Sequence, residues 1–209
     1  MYKSEDQDHV NKQYLYTLEK FGDSAKGVHW TRESQRARFE VLTRIGDLNN
    51  ASVLDFGCGL GHLADFFREK GINVRYTGVD VLRAFVERAR QNHPAGRFYV
   101  LDDFTEEKFD YIMISGVFNN KREDNRAFYQ RCLRRLFPLA DKGLAFNMLS
   151  CYANYHDEEL FYEKPERVFE FVKTQISPFV TIRNDYQVRA TTPPVDFCVY
   201  IYNRPTDLK

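Results

Sequence analysis

Three glycines that alternate with other residues stand between an acidic residue and a histidine. The segment from Ser52 to His62 reads SVLDFGCGLGH. A short apolar run precedes the glycines and a helical apolar pattern follows them, which predicts a strand, a tight turn and a helix. Because Gly57, Gly59 and Gly61 have no side chains, such a turn lets a ligand approach bare backbone. The segment therefore predicts a site for a nucleotide-like cofactor.

Two acidic residues follow at positions that suit an adenosine group. Asp80 ends the next predicted strand, roughly twenty residues beyond the glycine turn, where a carboxylate can accept from both ribose hydroxyls. Asp103 follows the third predicted strand and could accept from an adenine amino group, while the backbone N–H of Phe104 could donate to the ring. An Asp at a strand end is often only a helix N-cap. The prediction therefore depends on the spacing of the whole set.

Strand and helix patterns alternate along the rest of the chain. Strands are predicted at 52–56, 74–79, 97–101, 109–115, 143–149, 180–186 and 197–203, and helices at 61–70, 82–92, 125–137 and 165–175. This order predicts an α/β fold, a Rossmann-like, doubly wound, seven-stranded and mainly parallel sheet with helices on both faces. The connection 102–108 is too short for a crossover helix. No helix separates the last two strands, so the last strand is predicted to be antiparallel.

The composition argues against several classes of protein. Among 209 residues there are 30 Lys and Arg residues and 30 Asp and Glu residues. The chain thus lacks the excess of basic residues that is typical of proteins that bind nucleic acid. The four cysteines are widely spaced, and no metal-ligand spacing is present. No apolar run is long enough to cross a bilayer, and the polar first residues resemble no secretory signal. We expect a cytoplasmic monomer or homodimer with no metal and no membrane partner.

The quoted segments resemble, in order, the motifs of the class I S-adenosylmethionine-dependent methyltransferases. VLDFGCGLG at 53–61 is similar to motif I, TGVD at 77–80 to motif II and LDDF at 101–104 to motif III. FDYIMIS at 109–115 and KGLAFN at 142–147 resemble the motifs of the fourth and fifth strands. The resemblance spans about residues 41–203. The main rival cofactor is NAD, whose fingerprint GxGxxG spaces its glycines differently and which needs a second βαβαβ half.

The resemblance implies a role for each motif in binding S-adenosylmethionine. Asp55 and the glycine turn would flank the methionine part, Asp80 would bind the ribose, and Asp103 with Phe104 would face adenine. A guanidinium can grip a carboxylate in a bidentate fashion, so Arg38 is predicted to hold the cofactor carboxylate, with a surface helix charge as the alternative. The predicted cofactor-binding residues are Arg38, Asp55, Gly57, Cys58, Gly59, Gly61, Asp80, Val81, Asp103, Phe104, Ser115 and Gly116.

The sequence gives less information about the acceptor of the methyl group than about the cofactor. The Asn/Asp-Pro-Pro-Tyr motif of adenine-DNA and glutamine methyltransferases is replaced by SGVFN at 115–119, which disfavours amide or adenine-amino methylation. The loops 22–30 and 150–157 are predicted to border the substrate pocket. The predicted substrate-binding residues are Trp30, Asn119, Asn147, Tyr152 and Tyr155. The candidate general bases are His156, His29 and His62, each of which would otherwise be a cap or surface histidine.

The sequence thus predicts an S-adenosylmethionine-dependent methyltransferase that acts on a small polar metabolite, with O-methylation of a hydroxyl. Residues 1–50 are predicted to be helices that cover the active site, and residues 51–209 to form the catalytic domain in a single compact unit. Two alternatives stay open. One is a methyltransferase for RNA or protein, and the other is a non-catalytic, cofactor-binding partner subunit.

Overall fold

The N-terminal part of the chain is helical. The computed structural model describes residues 5–189 and 193–205, with side chains from residue 8 onward. Helix α1 covers Glu5–Phe21 and α2 covers Arg32–Leu42, and a short 3-10 helix at Ala25–Val28 lies between them. Thr31 caps α2, because its hydroxyl accepts a hydrogen bond from the Ser34 N–H at 3.1 Å. Helix α1 ends at the start of the loop 22–30.

Strands and helices alternate after α2. The strands are β1 Ser52–Phe56, β2 Arg75–Asp80, β3 Arg97–Val100, β4 Phe109–Ile114, β5 Ala140–Ser150, β6 Tyr162–Glu163, β7 Phe179–Arg183 and β8 Asp196–Tyr202. The helices are α3 His62–Lys70, α4 Arg83–Asn92, α5 Asn125–Leu136 and α6 Pro165–Gln175. Short 3-10 helices lie at Thr43–Ile45, Leu101–Asp103 and Phe137–Leu139. The link between β3 and β4 therefore holds only a single 3-10 turn, as its length predicted.

The strands form one mixed sheet. Their order is β3-β2-β1-β4-β5-β8-β7, with the short β6 paired to β5. The pairs from β3 to β5 are parallel, whereas β8 runs antiparallel to both β5 and β7. The Rossmann-like fold class with an antiparallel last strand is confirmed. The largest differences from the prediction are at three strands. β5 begins at Ala140 rather than 143, and β7 ends at Arg183 rather than near 186. β6 was not predicted because two residues carry no periodic signal.

Both faces of the central strands are buried, as the layered architecture requires. Ile112 of β4 belongs to the apolar cluster that contains Leu133 of α5 and Val172 of α6. The next residue, Met113, belongs to the cluster on the opposite face with Phe39 of α2 and residues of α3. Successive side chains of a strand point to opposite faces. The nearly continuous apolar run in β4 therefore packs against helices on both faces of the sheet.

The carboxyl ends of β1, β2 and β4 meet at one edge of the sheet. Connections from β1 lead outward to β2, whereas β4 lies on the other side of β1. This reversal of direction opens a crevice beyond the strand ends, where ligands of such sheets bind. The fold therefore places the glycine turn after β1 next to the ends of β2 and β4.

None of the helices in the described part of the chain combines the length and the apolar character that are needed to cross a bilayer.

Candidate active site

The glycine turn after β1 forms the floor of a deep cleft. Gly57, Gly59 and Gly61 have φ angles of 81°, 53° and 83°, a region that side chains rarely adopt. The Gly57 N–H donates to the Val79 carbonyl at 2.7 Å, which ties the turn to β2. A Cβ atom at Gly57 would lie 2.3 Å from Cγ2 of Val117. The turn therefore needs glycine for its backbone shape and for its closeness to the opposite wall.

Asp80 lies at the end of β2 and is held by backbone groups alone. One carboxylate oxygen accepts from the Gly59 N–H at 2.9 Å and the other from the Leu82 N–H at 2.9 Å. Burial raises the pKa of Asp80, and these hydrogen bonds oppose the rise. Each oxygen retains an unused lone pair. The carboxylate lines the cleft and can accept from the two hydroxyls of a ribose.

Asp55, at the end of β1, lines the same cleft but is 3% exposed. Its carboxyl group accepts a hydrogen bond from the Tyr76 hydroxyl at 2.6 Å. Burial raises the pKa of Asp55 to about 7, with the Tyr76 hydrogen bond opposing the rise and the charge of Asp80 adding to it. Asp55 therefore places less negative charge at the cleft near neutral pH than an ordinary carboxylate would.

Helix α1 forms the roof of the cleft. Val10, Asn11 and Tyr14 line it from above. The Tyr14 hydroxyl accepts a hydrogen bond from the Asn120 side-chain amide at 3.2 Å, which joins α1 to the loop after β4. Burial raises the pKa of Tyr14, so the phenol stays neutral at neutral pH.

The wall beside β4 is an indole ring that other residues hold in place. Trp30 lines the cleft, and its ring lies 3.8 Å from the guanidinium carbon of Arg38. Arg38 is 3% exposed and donates to both oxygens of the fully buried Asp196, at 2.6 and 2.8 Å. A Cβ atom at Gly116 would lie 2.7 Å from the indole. Trp30 is therefore packed between Arg38 and the end of β4.

The prediction for Arg38 is corrected by this arrangement. Its Nε and one Nη donate to Asp196, and the other Nη donates to the Ser34 carbonyl at 3.0 Å, so neither edge of the guanidinium is open to a carboxylate ligand. Arg38 does not line the cleft. The structure thus places it behind the wall, where it supports Trp30.

Gln35 and His62 form a second polar pair in the lining. The Gln35 amide nitrogen lies 3.1 Å from Nδ1 of His62, the first residue of α3. Burial lowers the pKa of His62, with the charges of Asp65 and Asp23 opposing the change. The ring is therefore neutral at neutral pH, and hydrogen bonding from Gln35 leaves the ring proton on Nε2.

The structure brings about half of the predicted site residues together at the cleft. Those that line it are Trp30, Asp55, Gly57, Cys58, Gly59, His62, Asp80, Val81, Ser115 and Gly116. Those that do not line it are His29, Arg38, Gly61, Asp103, Phe104, Asn119, Asn147, Tyr152, Tyr155 and His156. Gly61 still shapes the turn, as its φ angle shows.

Asp103 and Phe104, which were predicted to face adenine, do not line the cleft. Asp103 is exposed and lies 3.4 Å from the Arg83 guanidinium. The ring of Phe104 packs between those of Tyr99 and Phe109. Leu101 lines the cleft instead, because the 3-10 turn that follows β3 directs the acidic residues toward solvent.

Two of the three candidate bases lie outside the cleft. His156 is exposed and packs on Tyr162, with ring centroids 4.3 Å apart. His29 is exposed, with its ring edge against Tyr14 at 4.8 Å. Tyr152 and Tyr155, predicted to bind substrate, are 58% and 74% exposed. The loop 150–157 therefore does not border the cleft.

Asn119 and Asn147 act on the backbone behind the cleft. Oδ1 of Asn147 accepts from the Gly116 N–H at 2.8 Å, and Oδ1 of Asn119 accepts from the Leu149 N–H at 3.3 Å. Both side chains are buried, and their amide nitrogens lack a hydrogen-bond partner. The two asparagines thus join the loop after β4 to the end of β5.

Sequence reasoning missed much of the lining. The missed residues are Val10, Asn11, Tyr14, Val28, Gln35, Phe39, Phe56, Leu60, Val79, Leu82, Phe85, Leu101, Val117, Asn120, Arg122 and Phe128. Val79 and Leu82 flank Asp80 and could have been found from their positions beside it. The residues of α1 and α2 carry no local signal, since they reach the cleft only by long-range packing.

The residues present fit S-adenosylmethionine. The cleft lies between the glycine turn, the ends of β2 and β4, and α1. Its glycine floor leaves backbone bare, Asp80 offers a charged acceptor pair for a diol, and apolar side chains surround both. Among the described residues no group of His, Cys, Asp and Glu is arranged to hold a metal ion.

Comparison with known proteins identifies the family. The family model described as "Methyltransferase domain" matches residues 54–140. A Mycobacterium tuberculosis protein named "Putative methyltransferase Rv1506c" is 30% identical over 143 residues, covering 65% of this chain and 86% of that protein. The chain belongs to the class I S-adenosylmethionine-dependent methyltransferases, and its cofactor is S-adenosylmethionine.

Two further proteins illustrate the range of the family. The malonyl-[acyl-carrier protein] O-methyltransferase of Pectobacterium atrosepticum is 33% identical over 92 residues, covering 44% of this chain and 35% of that protein. The plantazolicin methyltransferase BpumL, solved in complex with a triazolic desmethylPZN analog and SAH, has a TM-score of 0.63. It is 13% identical, with 94% of this chain and 98% of that chain covered. This likeness shows the fold.

Proposed function

We propose that this methyltransferase transfers the methyl group to a hydroxyl oxygen of a small polar metabolite. The observation that carries the proposal is the roofed cleft, whose apolar lining is interrupted by neutral hydrogen-bonding groups. Tyr14 and Asn120 supply these groups from two separate segments. Neutral donors and acceptors inside an apolar pocket suit an uncharged polar ligand.

The roof favours a small acceptor over a macromolecule. Helix α1 crosses the cleft and is joined to the opposite loop through Tyr14 and Asn120, whereas a nucleic acid or peptide strand needs an open groove. Arg122 supplies the only Lys or Arg side chain in the described lining. Phosphate backbones are bound through several such cations. We propose accordingly that residues 1–50 cover the site and residues 51–209 form the catalytic unit.

The protein chiefly aligns the reactants. The bound cofactor supplies a methyl group that its sulfonium activates for displacement. We propose that Asp80 binds the ribose hydroxyls, that the glycine turn contacts the methionine part, and that Ser115 with Gly116 lines the sulfonium side. Alignment of this kind removes much of the entropic barrier to a bimolecular displacement.

We propose no histidine base for the transfer. The acceptor oxygen gains the C–O bond as the C–S bond breaks, and the acceptor proton leaves to water. Of the three candidate histidines only His62 lines the cleft, and its Nδ1 is already accepting from Gln35. Its Nε2 therefore carries a proton and acts as a donor. A relative named as an O-methyltransferase supports oxygen as the attacked atom.

The test is to follow label from methyl-radiolabelled S-adenosylmethionine into a cell extract that has been divided by size. We expect label in the small-molecule fraction, in a product stable to mild base as an ether is. Asp80→Ala protein in place of wild type should abolish the signal. Label in RNA or protein would contradict a small acceptor, and a base-labile product would show a carboxyl ester rather than a methylated hydroxyl.

A further inference from the structure

The Gln35–His62 pair lies at the end of the cleft away from the ribose acceptor. Asp80 ends β2, whereas α2, which carries Gln35, packs against β5 on the other side of β1. His62 begins α3 directly after the glycine turn. A cofactor whose ribose is held at Asp80 and whose chain crosses the glycine turn thus ends near this pair.

The part of S-adenosylmethionine that reaches this end carries a carboxylate. An arginine is the usual bidentate partner of such a group, and Arg38 lies nearby in the fold. Its guanidinium is instead bound to Asp196 and is 3% exposed. The one cationic side chain in the described lining is Arg122, which stacks on Phe128 on the α5 side at 4.0 Å.

The pair can bind a carboxylate without a fixed positive charge. The Gln35 amide nitrogen has two N–H groups, and the one directed at Nδ1 of His62 fixes the ring proton on Nε2. This leaves one amide N–H and the Nε2–H as donors in the cleft. A carboxylate oxygen accepts such donors in charge-assisted hydrogen bonds. The mutual hydrogen bond also holds both side chains in place before any ligand arrives.

We propose that Gln35 and His62 form the carboxylate-binding part of the cofactor site. The inference rests on the proposed function, because it requires S-adenosylmethionine to occupy this cleft with its ribose at Asp80. Two uncharged donors then bind the cofactor carboxylate, which Arg38 cannot do because its guanidinium is bound to Asp196. Gln35 and His62 therefore determine the preference of the protein for adenosyl ligands that keep the amino-acid part.

Two ligands distinguish binding of the carboxylate from a general contribution to cofactor affinity. S-adenosylhomocysteine carries the carboxylate, whereas 5′-methylthioadenosine has the same adenosine and thioether but lacks the amino-acid part. Calorimetric titration of Gln35→Met and His62→Leu should show S-adenosylhomocysteine binding weakened about tenfold or more in each, the size expected for one hydrogen bond to a charged group. Binding of 5′-methylthioadenosine should be unchanged.

Matched variants keep the test decisive. His62→Gln, which can still donate an N–H, should retain most of the affinity for S-adenosylhomocysteine. His156→Leu removes a histidine outside the cleft and should bind both ligands as wild type does. If His62→Leu fails to fold, Gln35→Met and His62→Gln carry the test. Trp30 is the single tryptophan of the chain and lines the cleft, so its fluorescence gives a second binding readout.

The outcomes distinguish the inference from the proposed function. Equal weakening of both ligands, or no weakening of either, in Gln35→Met and His62→Leu would overturn the carboxylate role while the cofactor site stands. A folded wild-type protein that binds neither ligand would overturn the inference together with the proposed function.

Discussion

Asp80 and Asp196 are two buried carboxylates at the same edge of the sheet with different partners. Asp80 ends β2, and Asp196 begins β8 opposite Leu149 near the end of β5. Asp80 is bound by backbone N–H groups, which leave its charge uncompensated and accessible from the cleft. Asp196 is bound by the guanidinium of Arg38, which neutralises it.

The difference shows that the partner, rather than burial, marks a ligand site. Neutral donors orient a carboxylate without cancelling its charge, so the charge remains for a ligand hydroxyl. A bidentate guanidinium neutralises the carboxylate and turns the pair into a structural element. Here that element supports Trp30 from behind, so the second carboxylate contributes to the cleft only through packing.

The largest effect should come from separating the structural pair. Arg38→Met leaves Asp196 buried without its bidentate partner, and breaking such a pair costs about 3–5 kcal/mol. Urea unfolding should therefore show a large fall in the free energy of unfolding. The double variant Arg38→Met/Asp196→Leu should recover most of it, since no charge stays buried. A single variant as stable as wild type would contradict the structural role of the pair.

Asp55 should make stability depend on pH. Burial raises its pKa to about 7 in the folded protein from 3.8, so the folded state binds the proton more tightly than the unfolded state. The stability that Asp55 contributes is complete below pH 3.8 and is lost as the pH rises through about 7. The difference in unfolding free energy between wild type and Asp55→Asn should fall with a slope of up to about 1.4 kcal/mol per pH unit. Parallel pH curves for the two proteins would contradict the raised pKa.

Gly116→Ala tests the contact between the end of β4 and the indole wall. The residue has a φ of 76°, and a Cβ atom would meet Trp30 at 2.7 Å. We expect a loss of about 1–3 kcal/mol with a shift of the Trp30 fluorescence emission. Gly71→Ala is the matched control, because Gly71 has a φ of 67° with nothing within 4 Å. Equal losses of stability in the two variants, with no shift of the emission in either, would contradict the close contact between Trp30 and Gly116.

The smallest effect is expected at the roof. Tyr14→Phe removes the hydroxyl that accepts from Asn120, at a cost of about 1 kcal/mol. Amide hydrogen exchange in α1 should speed up accordingly. Tyr16→Phe alters an exposed phenol on the same helix and should leave exchange unchanged. Equal exchange in both variants would show that this contact does not hold the roof.

The parts of the molecule that were predicted from sequence depend on neighbours along the chain. The glycine turn and Asp80 follow from their spacing, since consecutive parallel strands bring their ends to the same edge. The sequence does not indicate that Arg38 pairs with Asp196, because the two residues are 158 positions apart. Arg38 was therefore predicted to bind the cofactor. Tyr14 meets Asn120 across 106 residues. Such contacts are decided by helix packing, which leaves no periodic signal.

The most direct test is a calorimetric titration of S-adenosylmethionine into wild type, Asp80→Asn and Arg38→Met/Asp196→Leu. We predict that Asp80→Asn stays folded and binds about a hundredfold more weakly, as the loss of two hydrogen bonds to a charge implies. The double variant should bind within a few-fold of wild type. Wild-type affinity in Asp80→Asn, or no binding by folded wild type, would contradict the account of this cleft as the cofactor site.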